Sequence, residues 1–275
     1  MTYQTVMVHL QLGRSNKALL KIASDFADNF HTDMIGIAAG QPTQMLYGQG
    51  YALLDFLNQE HEKITKEIAE AEAAFQTAFK GYSRTNEWRS TVTLGSLSEY
   101  IVGEARSADI IITEIAPSDF YEGPYGVNAG ELILQSGRPV LVVPVTAKKL
   151  ELERMLVGWK DTREARRAIA DALPLLKLAK HVTVVEIATE KEKASVTKCL
   201  EQVVSWLKKH DITADYLISA SVDDDASQLI SIAKKQGADL IVAGAYGHSR
   251  LREWVLGGVT NNLLQRAEIC ALLSH

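Results

Sequence analysis

The chain has 275 residues, of which 47% are hydrophobic and 23% charged, with a formal net charge of −5. That length exceeds one average domain and supplies enough apolar sequence for two cores. The acidic balance excludes the basic face that general nucleic-acid binding needs. The longest apolar runs, such as residues 140–143, fall far short of the roughly 20 residues that cross a membrane. Residues 1–10 lack the basic segment and long apolar run of a secretory signal. Cys199 and Cys270, distant in sequence, read as buried thiols in a reducing compartment. The expectation is a cytoplasmic protein.

Apolar runs of strand length alternate with helical patterns along the chain. Residues 5–10 predict a buried strand and 16–30 a helix, with Leu19, Leu20, Ala23, Phe26, Ala27 and Phe30 at helical spacing. A strand at 34–39 leads into a Gly-, Pro- and Gln-containing insertion that reaches about residue 51. Next come a long helix at 53–79, a strand at 88–94, a helix at 96–106 and a strand at 109–115. A short helix at 129–135 and a strand at 139–143 close this series. The charged segment 146–153 reads as a linker, after which the same order restarts. Strands are expected at 155–159, 182–187, 213–218, 240–243 and 269–273, with helices at 162–179, 193–210, 226–236 and 259–267. Such alternation indicates parallel βαβ units with right-handed crossovers.

The halves also match in detail. Residues 105–112 (ARSADIII) parallel residues 235–242 (KQGADLIV), and 138–143 take the place of 268–273. An internal duplication accounts for this, with one domain at 1–147 and a second at 152–275.

The stretch that carries chemistry runs from Leu240 to Thr260. A strand ends at Ala243, glycines punctuate the following loop, and a helix is expected from Val259. Gly244 and Gly247 permit positive φ and close approach of backbone to a ligand. Gly257 and Gly258 expose backbone N–H groups before a helix, where free donors and the helix dipole favour an anion such as phosphate. In an open parallel sheet such a site lies beyond the carboxyl ends of the strands, where their order reverses.

The spacing of Gly244, Gly247 and Gly257, with two and then nine residues between them, resembles the glycine signature of nucleotide-binding universal stress proteins. The similarity is strong from Met155 to the end, including the run 157–165 (VGWKDTREA), and weaker over residues 5–144. The resemblance implies an α/β fold of two tandem doubly wound domains, each with a five-stranded parallel sheet. It implies ATP or ADP, with or without Mg, held by Gly244, Gly247, His248, Gly257, Gly258, Val259 and Thr260 against Trp159, Lys160 and Asp161. It also implies that the final strands of two domains meet edge to edge, within one chain or in a homodimer.

Two departures bear on affinity. Gly258 stands where a hydroxyl residue is usual, which removes a phosphate contact of roughly 1.5–3 kcal/mol, a factor on the order of 10 to 100. Lys160 replaces the aspartate expected to contact the nucleoside, with Asp161 one position on. The first half lacks the glycine spacing and carries Gln11 at the corresponding place, so no nucleotide is expected there.

Other chemistries lack their parts. His61-Glu62 has no second histidine four residues on, where Thr65 stands, and the remaining histidines have no zinc-ligand spacing. No nucleophile elbow or Walker loop is present. Glu253 and Asp161 are the acids available to a slow ATPase, and no histidine–carboxylate pair accompanies them. The leading expectation is a stress-associated protein that binds an adenine nucleotide. A nucleotide-independent interaction module with a protein partner is the alternative.

Overall fold

The computed structural model describes residues 2–42, 51–115, 126–222, 224–246 and 268–275. In the first half β1 (Thr5–His9), α1 (Lys17–Phe30), β2 (Asp33–Gly40), α2 (Tyr51–Ala78) and β3 (Asn86–Val92) lead to α3 (Leu97–Glu104) and a 3-10 turn (Ala105–Ser107). β4 (Ile110–Ile115), α4 (Ala129–Gln135) and β5 (Val140–Pro144) complete it. The second half runs through β6 (Arg154–Gly158), α5 (Arg163–Asp171), α6 (Leu173–Leu176), β7 (His181–Ala188), α7 (Lys193–Lys208), β8 (Ala214–Ala220), α8 (Asp225–Gln236), β9 (Leu240–Gly244) and β10 (Cys270–Ser274). The helix expected over 162–179 is two helices. Pro174 in the first turn of α6 has no N–H to continue the α5 ladder, and the chain restarts there. The helix expected at 259–267 and the insertion at 43–50 lie outside the described residues.

The ten strands of the described residues form one sheet in the order β3-β2-β1-β4-β5-β10-β9-β6-β7-β8. Within each half the pairing is parallel. At the centre β5 and β10 are antiparallel, with Leu272 opposite Leu141, Ala271 opposite Val142 and Leu273 opposite Val140. The pairing of β10 with β9 and of β5 with β4 makes Val140 the counterpart of Ala271. The sequence alignment of 138–143 with 268–273 is therefore one residue out of step with the strand register. A run of similar apolar residues carries no mark of its register, which only pairing with a neighbour supplies.

One face of the sheet is covered by α1, α2 and α5–α7, with Phe26, Ile64, Phe75, Leu175 and Leu200 in a core continuous across both halves. The other is covered by α3, α4 and α8 through Ile101, Leu132, Leu229 and Ala233. The second half and the linker also contact the first half outside the sheet. Tyr3 donates its hydroxyl proton to the Asp171 carbonyl at 2.6 Å, and the Leu150 N–H reaches Asp25 at 3.4 Å. Cys270 is buried and Cys199 only half-buried, so one of the two expected buried thiols is partly open. Burial pushes the Cys270 thiol up to about 12.

Candidate functional site

The strand order reverses between β9 and β6 in the second half, and between β4 and β1 in the first. Because β5 and β10 are antiparallel, the carboxyl ends of the two halves lie on opposite edges of the sheet. In open parallel sheets such a reversal is where ligands bind, beyond the carboxyl ends of the strands. The duplicated aspartates set the strands that flank it. Asp109 accepts from the N–H groups of Gln4 and Thr5 at 2.7 and 3.0 Å, and Asp239 from those of Glu153 and Arg154 at 3.0 and 2.8 Å. Both aspartates donate their own N–H back across the strand pair at 2.8 Å, to Thr5 and Arg154 respectively. This reciprocal clamp is the structural content of the repeated Ala-Asp pattern.

In the second half β6 ends at Gly158, and Trp159 keeps the chain in the sheet by donating to the Val185 carbonyl at 2.8 Å. Lys160 and Asp161 are exposed and form a tight turn, closed by the Thr162 N–H on the Lys160 carbonyl at 2.7 Å. Asp161 is ion-paired with Arg166 at 2.5 Å. Thr162 caps α5, its hydroxyl accepting from the Ala165 N–H at 3.3 Å. Glu164, buried in the first turn, bonds to Arg163. Burial pushes its carboxyl up, yet hydrogen bonds from Arg163, its own N–H and the Thr162 hydroxyl outweigh this and hold it below the usual carboxylate range. The α5 N-terminus thus already carries an anion of its own.

Gly244 ends β9 and serves the fold in a way its sequence setting does not announce. A Cβ there would lie 2.5 Å from the Ala165 nitrogen and 2.6 Å from the Glu164 carbonyl carbon. The close approach is between β9 and the α5 backbone, and the positive φ that a glycine permits is not used at Gly244. The positive φ falls on Tyr246 (61°). At the equivalent place in the first half β4 carries the buried Glu114, where α1 offers the small Ala18. Each half thus carries one buried glutamate at this level, on the strand in one and in the first turn of the helix in the other.

Of the residues singled out in the sequence, the structure brings Gly244, Trp159, Lys160 and Asp161 to the same strand ends. Gly247, His248, Gly257, Gly258, Val259 and Thr260, together with Glu253, lie outside the described residues. Sequence reasoning missed Glu186 on β7, 5% exposed, whose signal was a lone acid at an inward position of an apolar strand. It also missed Leu229 of α8, whose Cδ2 would stand 2.8 Å from a Cβ on Gly158 and so closes over the end of β6 on the opposite face. In the first half the strand ends are knit by polar side chains. His9 Nδ1 lies 3.0 Å from Thr113 Oγ1, and Gln11 Nε2 donates to the Glu114 carbonyl at 2.8 Å. Among the described residues no helix is long and apolar enough to cross a membrane, and no group of three or more His, Cys, Asp or Glu could hold a metal ion.

Residues 151–274 match the model of the universal stress protein family. No curated protein matches the chain. A universal stress protein from Archaeoglobus fulgidus DSM 4304 superimposes with a TM-score of 0.73 at 14% identity, covering 98% of this chain and 97% of its own. A protein from Pseudomonas aeruginosa UCBPP-PA14 ascribed to the same family gives a TM-score of 0.64 at 17% identity, covering 99% and 93%. At these identities the likeness concerns the fold. Residues 151–274 therefore belong to the universal stress protein family, and the chain as a whole has the paired doubly wound fold found in universal stress protein structures.

Proposed function

We propose that this chain is a stress-associated protein that binds an adenine nucleotide, ATP or ADP, at the carboxyl ends of β6 and β9. The observation that carries the reading is the reversal of strand order between these strands, with the spacing Gly244, Gly247, Gly257 running on from β9. In this reading the backbone of Gly247, Gly257, Gly258, Val259 and Thr260 cradles the phosphates, with His248 beside them. Trp159 and Asp161 meet the nucleoside side. The exposed Lys160 adds a cation for phosphate where an aspartate would have repelled it. Magnesium would accompany the phosphates as part of the ligand.

A ligand that binds only the folded state raises apparent stability by mass action. Thermal unfolding with millimolar Mg-ATP or ADP is expected to shift upward, and Gly247→Glu to remove the shift. No shift, with no nucleotide released from the freshly purified protein, would leave the second reading, a nucleotide-independent interaction module. That reading is favoured by the packing duty of Gly244 and by the anion already at the start of α5. A slow ATPase ranks behind both, because Asp161 is engaged by Arg166.

A further inference from the structure

Two buried polar atoms at the carboxyl end of the second half have no hydrogen-bond partner among the described residues, and they belong to residues on adjacent strands. Trp159, 7% exposed, has an unmatched indole N–H, and Glu186, 5% exposed, an unmatched Oε2. The parallel register puts Gly158 beside Val185, so the next residues on each strand, Trp159 and Glu186, share the face covered by α5 and α7. Leaving a donor and a carboxylate oxygen buried and unmatched is costly.

The fold does not require either group. In the first half the same two places are held by Leu10 and Ala38, both buried in the corresponding apolar layer. Their equivalence is fixed by the matching hydrogen bonds, Leu10 N–H to Ile37 and Trp159 N–H to Val185, at 2.9 and 2.8 Å. The polar pair therefore occurs only in the half with the glycine spacing. A donor next to an acceptor asks for a group that is both at once, and a hydroxyl is that group. Lys160 has displaced the carboxylate expected at its own position, while Glu186 supplies one from the neighbouring strand.

We propose that Trp159 and Glu186 form a subsite for a sugar hydroxyl of the ligand, the hydroxyl accepting from the indole N–H and donating to the Glu186 carboxylate. This rests on the nucleotide reading and adds to it the selection of a ribose over a deoxygenated sugar. Binding of ATP and 2′,3′-dideoxy-ATP to the full chain, to Glu186→Leu, to Glu186→Gln and to Trp159→Phe tests it, with thermal unfolding of each variant confirming a folded protein.

The wild-type chain is expected to prefer ATP by about tenfold or more. Glu186→Leu should bring that ratio close to one, with Glu186→Gln and Trp159→Phe in between. Equal binding of both nucleotides by the wild type, or a preference kept by Glu186→Leu, would overturn the subsite and leave the pair to a bridging water, with the nucleotide reading intact. Binding of neither nucleotide would overturn both.

Discussion

Glu186 is the residue at which burial and charge conflict most directly. Removal from water raises its carboxyl above the usual range. Lys160 opposes that shift, and Asp161 and Glu192 add to it. The native chain therefore holds a proton that the unfolded chain has already lost, over the interval from the ordinary carboxylate value up to the raised one. In that interval stability falls as pH rises, and above it the deficit is complete. Glu186→Gln, which keeps the shape without the charge, is expected to unfold at a higher temperature than wild type at neutral pH. The gap should shrink as pH falls below the ordinary carboxylate range. A gap that stayed constant with pH, or grew on acidification, would show that Glu186 is ionised at no cost. Glu164 behaves in the opposite sense, since its depressed carboxyl contributes stability that is lost on acidification.

At the scale of elements, the repeat is held by equivalent devices and not merely by similar apolar runs. Asp109 and Asp239 each accept two backbone N–H groups at the start of the first strand of their half. Both are half-buried, so their bonds are partly shielded from water. Charge-assisted bonds of this kind contribute about 1.5–3 kcal/mol each where they are well shielded. Asp109→Ala and Asp239→Ala should each lower stability by about 1–3 kcal/mol. Chemical denaturation of the two variants measures this, and a neutral result for either one would break the claimed equivalence. Residues 105–112 and 235–242 already showed this repeat in the sequence. The partners of the two carboxylates were not readable there, because they lie about a hundred residues away in the first half and more than eighty in the second.

Across the whole molecule the β5–β10 seam decides the architecture. It joins two sheets that would otherwise each expose an apolar edge, and the core beneath it is continuous from Tyr3 to Leu272. Leu272, fully buried at the centre of the seam, is expected to cost about 2–5 kcal/mol when replaced by alanine. Because core and sheet run through the seam, calorimetry of Leu272→Ala should show one transition moved as a whole. Two transitions with only one displaced would mean that the halves unfold independently. The antiparallel seam also turns the two strand-order reversals to opposite edges of the sheet, so a ligand at the reversal of the second half would meet none of the polar network around His9 and Gln11.

What the sequence by itself determined was the alternation of strands and helices, the duplication, and the strand end from which a nucleotide loop would start. Those are local properties, carried by apolar periodicity and by glycine and proline placement, and they survive without knowledge of any distant neighbour. The tertiary structure alone decided the register of the seam, the packing of Gly244 against the α5 backbone, and the placing of Trp159 and Glu186 at neighbouring positions on adjacent strands. Each of these depends on which residues stand opposite one another on adjacent strands and on which face they share. A shift of one position in that register turns a side chain from one core to the other, and only pairing between segments far apart in the chain can set it.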